Sequence, residues 1–558
     1  MRQEIEQAIV AACKDLFDTD VAVELIRPDE QFGDYATNVA LQLSKQVGQN
    51  PREIGEALAV KLRENLAESV ADIAVAGPGF LNLTLTDAAL VRLLAVKPKA
   101  TLTGKTVLVE YSDPNPFKPL HAGHLYTTLV GDTVARLIES AGAATVRINY
   151  SGDVGLHVGK SMWAIIQHIG GEFPEKLYEV VENERPSWLG ARYVEGNEAY
   201  EAHASAKDQI IETNKRIYDL HANEDHDSPF ARVYWTCRQW SYDYFATLYQ
   251  QLQVKPFDRY IPESEVTPLG VRTVSEQLKN GVYQESDGAI IFDGEKVGLH
   301  TRVFINSAGL PTYETKDVGL SLTKWSDYHF DSSIIITANE QEQYMQVVLA
   351  SIRQFEPKAA ERTTHLTHGV VKLEGGVKMS SRKGNFVTAI EILDAAREAG
   401  QETGTNPSEE TILAAIKYAF TKNRIGGDIV YNPKESIALE GNSGPYVQYA
   451  HARARSILAK STALKSAEFV GNFQAAERSL LCKIVEYPEV IDKATAELMP
   501  HYICTYLYEL AQVFNRFYEH NRVVGDPHEA VRLRLVQEYA ETLKKGLQLL
   551  GIHAPDTM

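Results

Sequence analysis

The 558-residue chain contains only four cysteines, and none of them belongs to a Cys-x-x-Cys pair. Their wide spacing argues against a disulfide framework and against a zinc site. We therefore expect no bound metal and four buried thiols, namely Cys13, Cys237, Cys482 and Cys504.

Long apolar runs are also missing. No uninterrupted stretch reaches the ~20 apolar residues that a membrane span requires, and residues 1–6 are too polar for a signal peptide. With 44% hydrophobic and 23% charged residues, the chain is ordinary globular material and too long for one core, so about three or four domains are expected. These features predict a soluble, cytoplasmic protein without a membrane partner.

A surplus of basic residues is absent as well, because the formal net charge is −18. Net charge governs solubility, whereas binding of a polyanion depends on local patches, so this value excludes no partner. Residues 451–465 form one candidate patch with four basic residues and no acidic one: Arg453, Arg455, Lys460 and Lys465.

The most informative pattern runs from Lys105 to Gly142. Thr106–Tyr111 is a β-branched and apolar run that predicts a buried strand. The next segment contains three prolines, Pro114, Pro116 and Pro119, which exclude both a helix and a β-strand there. From His124 onward apolar residues recur at a helical period until Gly142, so His121 and His124 are predicted at a helix N-terminus.

This position favours binding of a phosphate group. Free backbone N–H groups and the positive end of the helix dipole attract anions, and two imidazoles add hydrogen-bond donors. Because Gly123 has no Cβ, a flat ring such as adenine could lie against the backbone here.

The string Val109–Leu125 resembles the HIGH motif of class I aminoacyl-tRNA synthetases, in the form that arginyl-tRNA synthetases have. The resemblance implies a Rossmann-like catalytic domain that binds ATP. Asp113 departs from the family, which more often has a small residue such as serine at this position.

A basic loop flanked by glycines follows a predicted strand at Val370–Leu373. Residues 378–384 resemble the KMSKS loop of the same class, and such a loop can close over a triphosphate. Ser381 replaces the second lysine of that motif, whose charge Lys383, Arg382 or Lys118 could supply. The two motifs together imply ten catalytic or ATP-binding residues: Lys118, His121, Gly123, His124, Lys378, Met379, Ser380, Ser381, Arg382 and Lys383.

A site for arginine requires a buried carboxylate, because a desolvated guanidinium demands charge-assisted hydrogen bonds. Thr312 is predicted to cap a helix on which Tyr313 and Asp317 share one face, and Asp317 can supply the carboxylate. The resemblance implies seven arginine-binding residues: Glu110, Ser112, Asn115, His121, Tyr313, Asp317 and Gln341.

The segment that begins at Pro445 resembles the start of the anticodon-binding domain of arginyl enzymes. Tyr446, Tyr449 and Arg453 are spaced to form one helical stripe that could stack on unpaired bases. The alternative is a tyrosine pair half-buried against neighbouring helices. The tail Leu550–Met558 resembles a family tail that reaches the anticodon loop. The resemblance implies seven tRNA-binding residues: Asn82, Tyr446, Gln448, Tyr449, Arg453, Tyr518 and Met558.

The predicted fold class is α/β and multidomain, with a Rossmann-like catalytic domain between an α/β N-terminal domain and an all-α anticodon-binding domain. Within the N-terminal domain Val21–Ile26 is predicted to be a strand, and the charges of the insertion are expected to form a solvated face. The predicted boundaries are 1–87 for the N-terminal domain, 88–104 for a linker, 105–395 for the catalytic domain with an insertion at 165–265, 396–440 for a helical connecting region, and 441–558 for the anticodon-binding domain.

The resemblance implies a monomeric arginine–tRNA ligase that uses ATP with Mg²⁺ and holds no prosthetic group. It would form arginyl-adenylate from L-arginine and transfer the arginyl group to the 3′-terminal adenosine of tRNA(Arg). A synthetase for another amino acid is an alternative, against which the arginine-site matches argue. A small-molecule adenylyltransferase would lack the long helical C-terminus. An inactive, RNA-binding relative would not need intact His121, His124 and Lys378.

Overall fold

The computed structural model describes residues 1–374, 387–402, 406–460 and 472–558. The N-terminal region contains α1 Arg2–Phe17, β1 Tyr35–Thr37, α2 Val39–Val47, α3 Pro51–Asn65, β2 Val70–Ala76, β3 Phe80–Leu85 and α4 Asp87–Leu93. Its strands form an antiparallel sheet in the order β1-β3-β2. Asn50 caps α3 through its side chain, and Pro51 takes the first helical position, where no N–H is needed.

Two predictions for this region require correction. Val21–Ile26 is not a strand, because its only ladder contact is a bridge between Ile26 and Ala36. The neighbouring strand β1 is three residues long and offers little edge for pairing. The predicted linker 88–104 begins inside α4, whose apolar face is buried by Ala89 and Leu90.

The catalytic region is built on a five-stranded parallel sheet. Its strands are β4 Thr106–Glu110, β5 Ala144–Ser151, β6 Arg259–Pro262, β10 Ser332–Ala338 and β11 Thr363–His368. They lie in the order β11-β10-β4-β5-β6, so the chain starts at the central β4, extends to one side and then returns to the other. The order reverses between β4 and β10, and open parallel sheets bind ligands at the carboxyl ends of strands beside such a switch point.

Helices and a small antiparallel sheet surround this parallel sheet. They are α5 Ala122–Ser140, α6 Leu156–His168, α7 Arg185–Ala202, α8 Ala204–Ala222, α9 Pro229–Gln251, α10 Glu263–Lys279, β7 Gln284–Ser286, β8 Ala289–Phe292, β9 Arg302–Ile305, α11 Tyr313–Tyr328, α12 Glu342–Arg353 and α13 Pro357–Glu361. The insertion is mostly helical, as predicted. Its end is predicted at about residue 265, and β6, which pairs with β5, already belongs to the parallel sheet, so the insertion ends before Arg259.

The remaining chain contains β12 Val371–Leu373, α14 Ala389–Glu402, α15 Glu409–Thr421, β13 Ile429–Tyr431, α16 Pro433–Ile437, α17 Gly444–Ala459, α18 Ala475–Val485, α19 Tyr487–Glu497, α20 His501–His520 and α21 Glu529–Leu549. The connecting region is not purely helical, because β13 pairs in parallel with β12. The predicted apolar stripe of α20 is confirmed as buried at Ile503, Leu507, Leu510, Phe514 and Phe517.

The N-terminal domain packs against the C-terminal helices. Arg27 contacts Glu489 at 2.7 Å, and Arg478 contacts Asp34 at 2.6 Å. Apolar side chains of both regions also belong to one continuous buried cluster. The two ends of the chain therefore form one packed unit beside the catalytic domain.

Candidate active site

A cleft of about 590 Å³ lies at the switch point of the parallel sheet, at the carboxyl ends of β4 and β10. This volume is in the range of small-molecule sites. The lining includes each described residue that the sequence predicts for ATP or arginine: Glu110, Ser112, Asn115, Lys118, His121, Gly123, His124, Tyr313, Asp317 and Gln341. The structure thus brings together residues that are more than 200 positions apart in sequence.

His121 and His124 open α5 and cap it together. His121 Nδ1 accepts hydrogen bonds from the backbone N–H groups of Gly123 and His124 at 3.1 and 3.3 Å, and the His121 N–H donates to His124 Nδ1 at 3.4 Å. The two rings stack with centroids 3.7 Å apart. Since each Nδ1 is an acceptor, a neutral ring must carry its proton on Nε2.

The environment keeps both histidines neutral at pH 7. Burial, with Lys118 and His368 nearby, lowers the pKa of His121 to about 4. Burial, with the neighbouring His121 and Lys118, lowers the pKa of His124 well below its usual value. Two neutral Nε2–H donors at a helix N-terminus can hydrogen-bond phosphate oxygens without adding a full charge to the resting cleft.

The loop that joins β4 to α5 has an unusual backbone. Ser112, Asp113 and Phe117 adopt φ angles of 76°, 45° and 68°, which cost about 1–3 kcal/mol each and cluster at functional sites. Asn115 in this loop lies so close to Gly152 that a Cβ on Gly152 would stand 2.1 Å from its Oδ1. Only glycine at position 152 therefore permits this loop to sit against the end of β5.

The predicted KMSKS-like residues lie outside the described parts of the chain, and they are Lys378, Met379, Ser380, Ser381, Arg382 and Lys383. The described residues that follow this segment contact the histidine motif. The Ala122 N–H donates to the Val387 carbonyl at 2.7 Å, and the Ala389 N–H donates to the Leu120 carbonyl at 2.9 Å. Residues 387–389, the first described residues after this segment, therefore lie beside the start of α5.

The arginine-site prediction centres on Asp317, which lines the cleft and is only 7% exposed. Its Oδ2 accepts a hydrogen bond from the hydroxyl of Tyr344. Burial raises the pKa of Asp317 well above its usual value, and the nearby carboxylates of Glu110 and Glu263 raise it further. A bound cation would relieve this repulsion.

Unlike Asp317, Glu110 at the end of β4 is paired with a cation of the protein. Its carboxylate contacts Lys324 Nζ at 2.6 Å, and both side chains are buried. The hydroxyl of Ser112 lies within 2.8 Å of the hydroxyls of both Tyr249 and Thr128. Ser112 lines the cleft and is held by these two hydroxyls, and its role in arginine binding remains a prediction.

Sequence reasoning missed the charged partners of the cleft carboxylates, and Glu263 with Lys316 is one example. Glu263 opens α10, is 5% exposed and contacts Lys316 Nζ at 2.5 Å. The prediction that all charges of the segment 165–265 form a solvated face is therefore wrong at Glu263. Its position one residue after β6 is the only sequence signal that could have indicated burial.

The predicted tRNA-binding residues lie on two domains, away from the cleft. Tyr449 is 43% exposed, whereas the Tyr446 hydroxyl accepts a hydrogen bond from Asn515 at 2.8 Å and is partly buried. The Arg453 guanidinium lies 4.5 Å from the centre of the Tyr518 ring. Asn82, in the central strand β3, is partly exposed. The stripe therefore combines an exposed tyrosine with a cation–π pair.

Gln448 departs from this pattern. It is 0% exposed, and its Nε2 donates to the carbonyl of His553 at 2.8 Å. Direct contact between this side chain and tRNA is contradicted by its burial. Its position at i+2 from Tyr446 on α17 points it to the opposite, inner side of the helix.

The chain end, residues 551–558, lies along α15 and α17. Side chains of these two helices contact every second backbone carbonyl from residue 551 to residue 555. Lys417 Nζ donates to Gly551 at 2.5 Å, and the side chains of Gln448 and His451 contact the carbonyls of His553 and Pro555 at 2.8 Å. Met558 at the end is 52% exposed. The basic patch is partly neutralised, because Arg455 contacts Asp556 at 2.9 Å; Lys465 lies outside the described residues.

Two features are absent from the described residues. None of the helices combines the length and apolarity needed to cross a membrane. In the same ranges no group of three or more His, Cys, Asp or Glu side chains is arranged to hold a metal ion.

Comparison with known proteins assigns each region to a family model. Residues 1–85 match "Arginyl tRNA synthetase N terminal domain", residues 87–431 match "tRNA synthetases class I (R), catalytic domain", and residues 447–558 match "DALR anticodon binding domain". The match 87–431 extends beyond the predicted catalytic boundary at 395 and includes β13.

Individual relatives resemble the chain over its full length. It is 30% identical to an arginine–tRNA ligase of Porphyromonas gingivalis, with 100% of this chain and 99% of the relative covered. It is 31% identical to an arginine–tRNA ligase of Lactobacillus delbrueckii subsp. bulgaricus, with both chains fully covered. The chain also resembles the solved structure of Thermus thermophilus arginyl-tRNA synthetase. The superposition covers 100% of both chains, with a TM-score of 0.78 and 26% sequence identity.

The parallel sheet, its cleft at the switch point and the histidine pair at the start of α5 define the catalytic domain of a class I aminoacyl-tRNA synthetase. The predicted three-part fold class is confirmed. With all three regions matched and full-length relatives at 30% identity, the chain belongs to the arginyl-tRNA synthetase family.

Proposed function

We propose that the cleft joins L-arginine to ATP and that the chain then transfers the arginyl group to tRNA(Arg). Family membership supports the overall reaction of an arginine–tRNA ligase. The observation that carries the substrate assignment is Asp317, a buried carboxylate in the cleft that pairs with no cation among the described residues. Guanidinium is the cation that best fits such a site, because it can donate two parallel hydrogen bonds to one carboxylate.

In the first step a carboxylate oxygen of arginine attacks the α-phosphorus of ATP. The bond from that phosphorus to the bridging oxygen breaks, and pyrophosphate leaves with the electron pair. The neutral imidazoles of His121 and His124 donate N–H hydrogen bonds to phosphate oxygens, which carry more negative charge in the transition state. A Cβ on Gly123 would stand 2.9 Å from the His121 ring, so glycine at this position lets that ring fold over the start of α5.

In the second step the 2′-hydroxyl of the terminal adenosine attacks the arginyl carbonyl, the bond from that carbon to the phosphate oxygen breaks, and AMP leaves while its phosphate takes up the hydroxyl proton. No protein nucleophile takes part in either step. Lys118 lines the cleft near the histidines and can balance phosphate charge, together with the predicted basic residues Lys378, Arg382 and Lys383. Mg²⁺ enters with ATP as the counter-ion of its phosphates.

The tRNA is expected to contact Tyr449, Arg453, Tyr518 and Met558, which are exposed or partly exposed around α17 and the chain end. Stacking of an unpaired base on an aromatic ring contributes about 1–3 kcal/mol. Asn82 would add a contact from the N-terminal domain. The enzyme is expected to act as a cytoplasmic monomer, as the sequence analysis predicts.

ATP–pyrophosphate exchange tests the first step. We expect arginine to support exchange, and lysine and citrulline to support it far less, because lysine lacks the planar fork and citrulline lacks the charge. The assay should be run with and without tRNA, since the family resemblance implies that bound tRNA is required. Exchange with another amino acid and none with arginine, under both conditions, would overturn the proposal.

A further inference from the structure

The carboxylates of the cleft fall into two groups according to their ion pairs. Three of them are paired with cations: Glu110 with Lys324 at 2.6 Å, Glu263 with Lys316 at 2.5 Å, and Glu314 with Arg302 at 3.5 Å. In the described parts of the chain Asp113 and Asp317 form no ion pair, and a further carboxylate, Glu340, is exposed to solvent. The cleft therefore has two sheltered carboxylates that lack a protein cation.

The substrate carries two matching charges. L-Arginine has a guanidinium at one end and an α-ammonium beside the carboxylate that reacts. Asp317, on α11, is the more deeply buried of the two aspartates and is assigned to the guanidinium above. Asp113 lies in the loop that leads to the histidines assigned to the reacting phosphate, eight positions before His121.

The backbone holds Asp113 in a defined place. Its φ of 45° is a left-handed conformation that aspartate and asparagine tolerate better than other residues with a side chain. Its Oδ1 accepts a hydrogen bond from the Tyr150 N–H at 2.8 Å, at the end of β5. The second carboxylate oxygen has no hydrogen-bond partner among the described residues and belongs to a side chain that lines the cleft.

We propose that Asp113 binds the α-ammonium group of arginine and thereby discriminates α-amino acids from other guanidinium compounds. This inference rests on the proposed function, because it presumes that arginine occupies the cleft. Burial raises the pKa of Asp113 well above its usual value, and the neighbouring Glu110 adds to the rise, so a bound ammonium would relieve an unfavourable charge.

The test compares L-arginine with 5-guanidinopentanoate, which keeps the guanidinium and the carboxylate but lacks the α-amino group. Dissociation constants for the full chain are measured by competition against radiolabelled arginine. Asp113→Asn is the first variant, since asparagine tolerates the backbone angle and can still accept the Tyr150 hydrogen bond. Asp113→Ser is the second, and circular dichroism and thermal unfolding show whether either variant has folded.

We expect the wild-type chain to prefer arginine, and we expect this preference to fall about tenfold or more in Asp113→Asn and Asp113→Ser, because a charge-assisted hydrogen bond is lost. In Asp317→Asn both ligands should weaken while their ratio is preserved. An unchanged ratio in a folded Asp113 variant would overturn the inference even if arginine still binds and reacts. Failure of the wild-type chain to bind arginine at all would instead overturn the proposed function.

Discussion

Replacing Asp317 by asparagine should weaken arginine use and stabilise the free protein at the same time. Asparagine keeps the size of the side chain and can still accept the Tyr344 hydrogen bond, but it cannot form an ion pair with guanidinium. Loss of a hydrogen bond to a charged group costs roughly 1.5–3 kcal/mol, so kcat/KM for arginine should fall roughly 10- to 150-fold. The KM for ATP should change little.

The stability change follows from the pKa. Because the pKa of Asp317 is raised in the folded state, its ionisation opposes folding at pH values above its ordinary value of 3.8. The substitution should therefore raise the free energy of unfolding at neutral pH, and this gain should vanish as the pH falls towards 3.8, where the unfolded carboxyl is also protonated.

Pyrophosphate exchange and urea unfolding measure the two effects. Asp327→Asn is the matched control, because Asp327 is exposed on the same helix and should leave arginine kinetics unchanged. Lower stability together with a fall in both kcat/KM for arginine and affinity for ATP would show that Asp317 has a structural role. Unchanged arginine kinetics would remove Asp317 from the arginine site.

Four further predictions concern other parts of the site. His124→Ala should lower kcat roughly a hundredfold or more with little change in KM, because its hydrogen bond strengthens in the transition state. Arginine affinity should fall as the pH is lowered from neutrality, since binding requires the charged form of Asp317 and must release a proton that calorimetry in two buffers can count. Tyr449→Ala should raise the KM for tRNA without changing the melting temperature, whereas Tyr178→Ala, in the insertion, is the exposed control. Lys324→Met should cost about 3–5 kcal/mol in urea unfolding, because it leaves a buried carboxylate unpaired.

Each of these has a contrary outcome. A KM increase with constant kcat would place the His124 hydrogen bond in the ground state. Binding of arginine without proton release would mean that the charged form of Asp317 already predominates. A Tyr449 variant that melts early yet binds tRNA normally would assign this ring to the core, and a fully stable Lys324 variant would contradict the buried ion pair.

The cleft could be predicted from sequence where its residues belong to one local pattern. The strand, the proline-containing loop and the helix around His121 are determined by neighbouring residues, so their arrangement can be predicted from the local sequence. Glu263 and Lys324 were missed because their burial depends on partners that stand 53 and 214 positions away. A local sequence pattern does not indicate contacts between residues so far apart in the chain.

Errors elsewhere have similar causes. The segment Val21–Ile26 has the composition of a strand, but strand formation depends on a partner edge that the sequence does not specify. Gln448 shares a motif with Tyr446 and Tyr449, yet its offset on α17 directs it inward. The resemblance located the motif, and only helical geometry separated its exposed residues from its buried one.

The chain end illustrates a different form of specificity. Its contacts to Lys417, Gln448 and His451 use the carbonyls of residues 551, 553 and 555, which every amino acid possesses. These three contacts thus do not depend on the side chains of the tail, whereas the buried Ile552 and the Asp556–Arg455 pair do depend on them, so substitutions at position 555 should be tolerated better than substitutions at position 552. Gly551, with φ of +66° and three charged side chains about 3.2 Å from any added Cβ, should resist replacement.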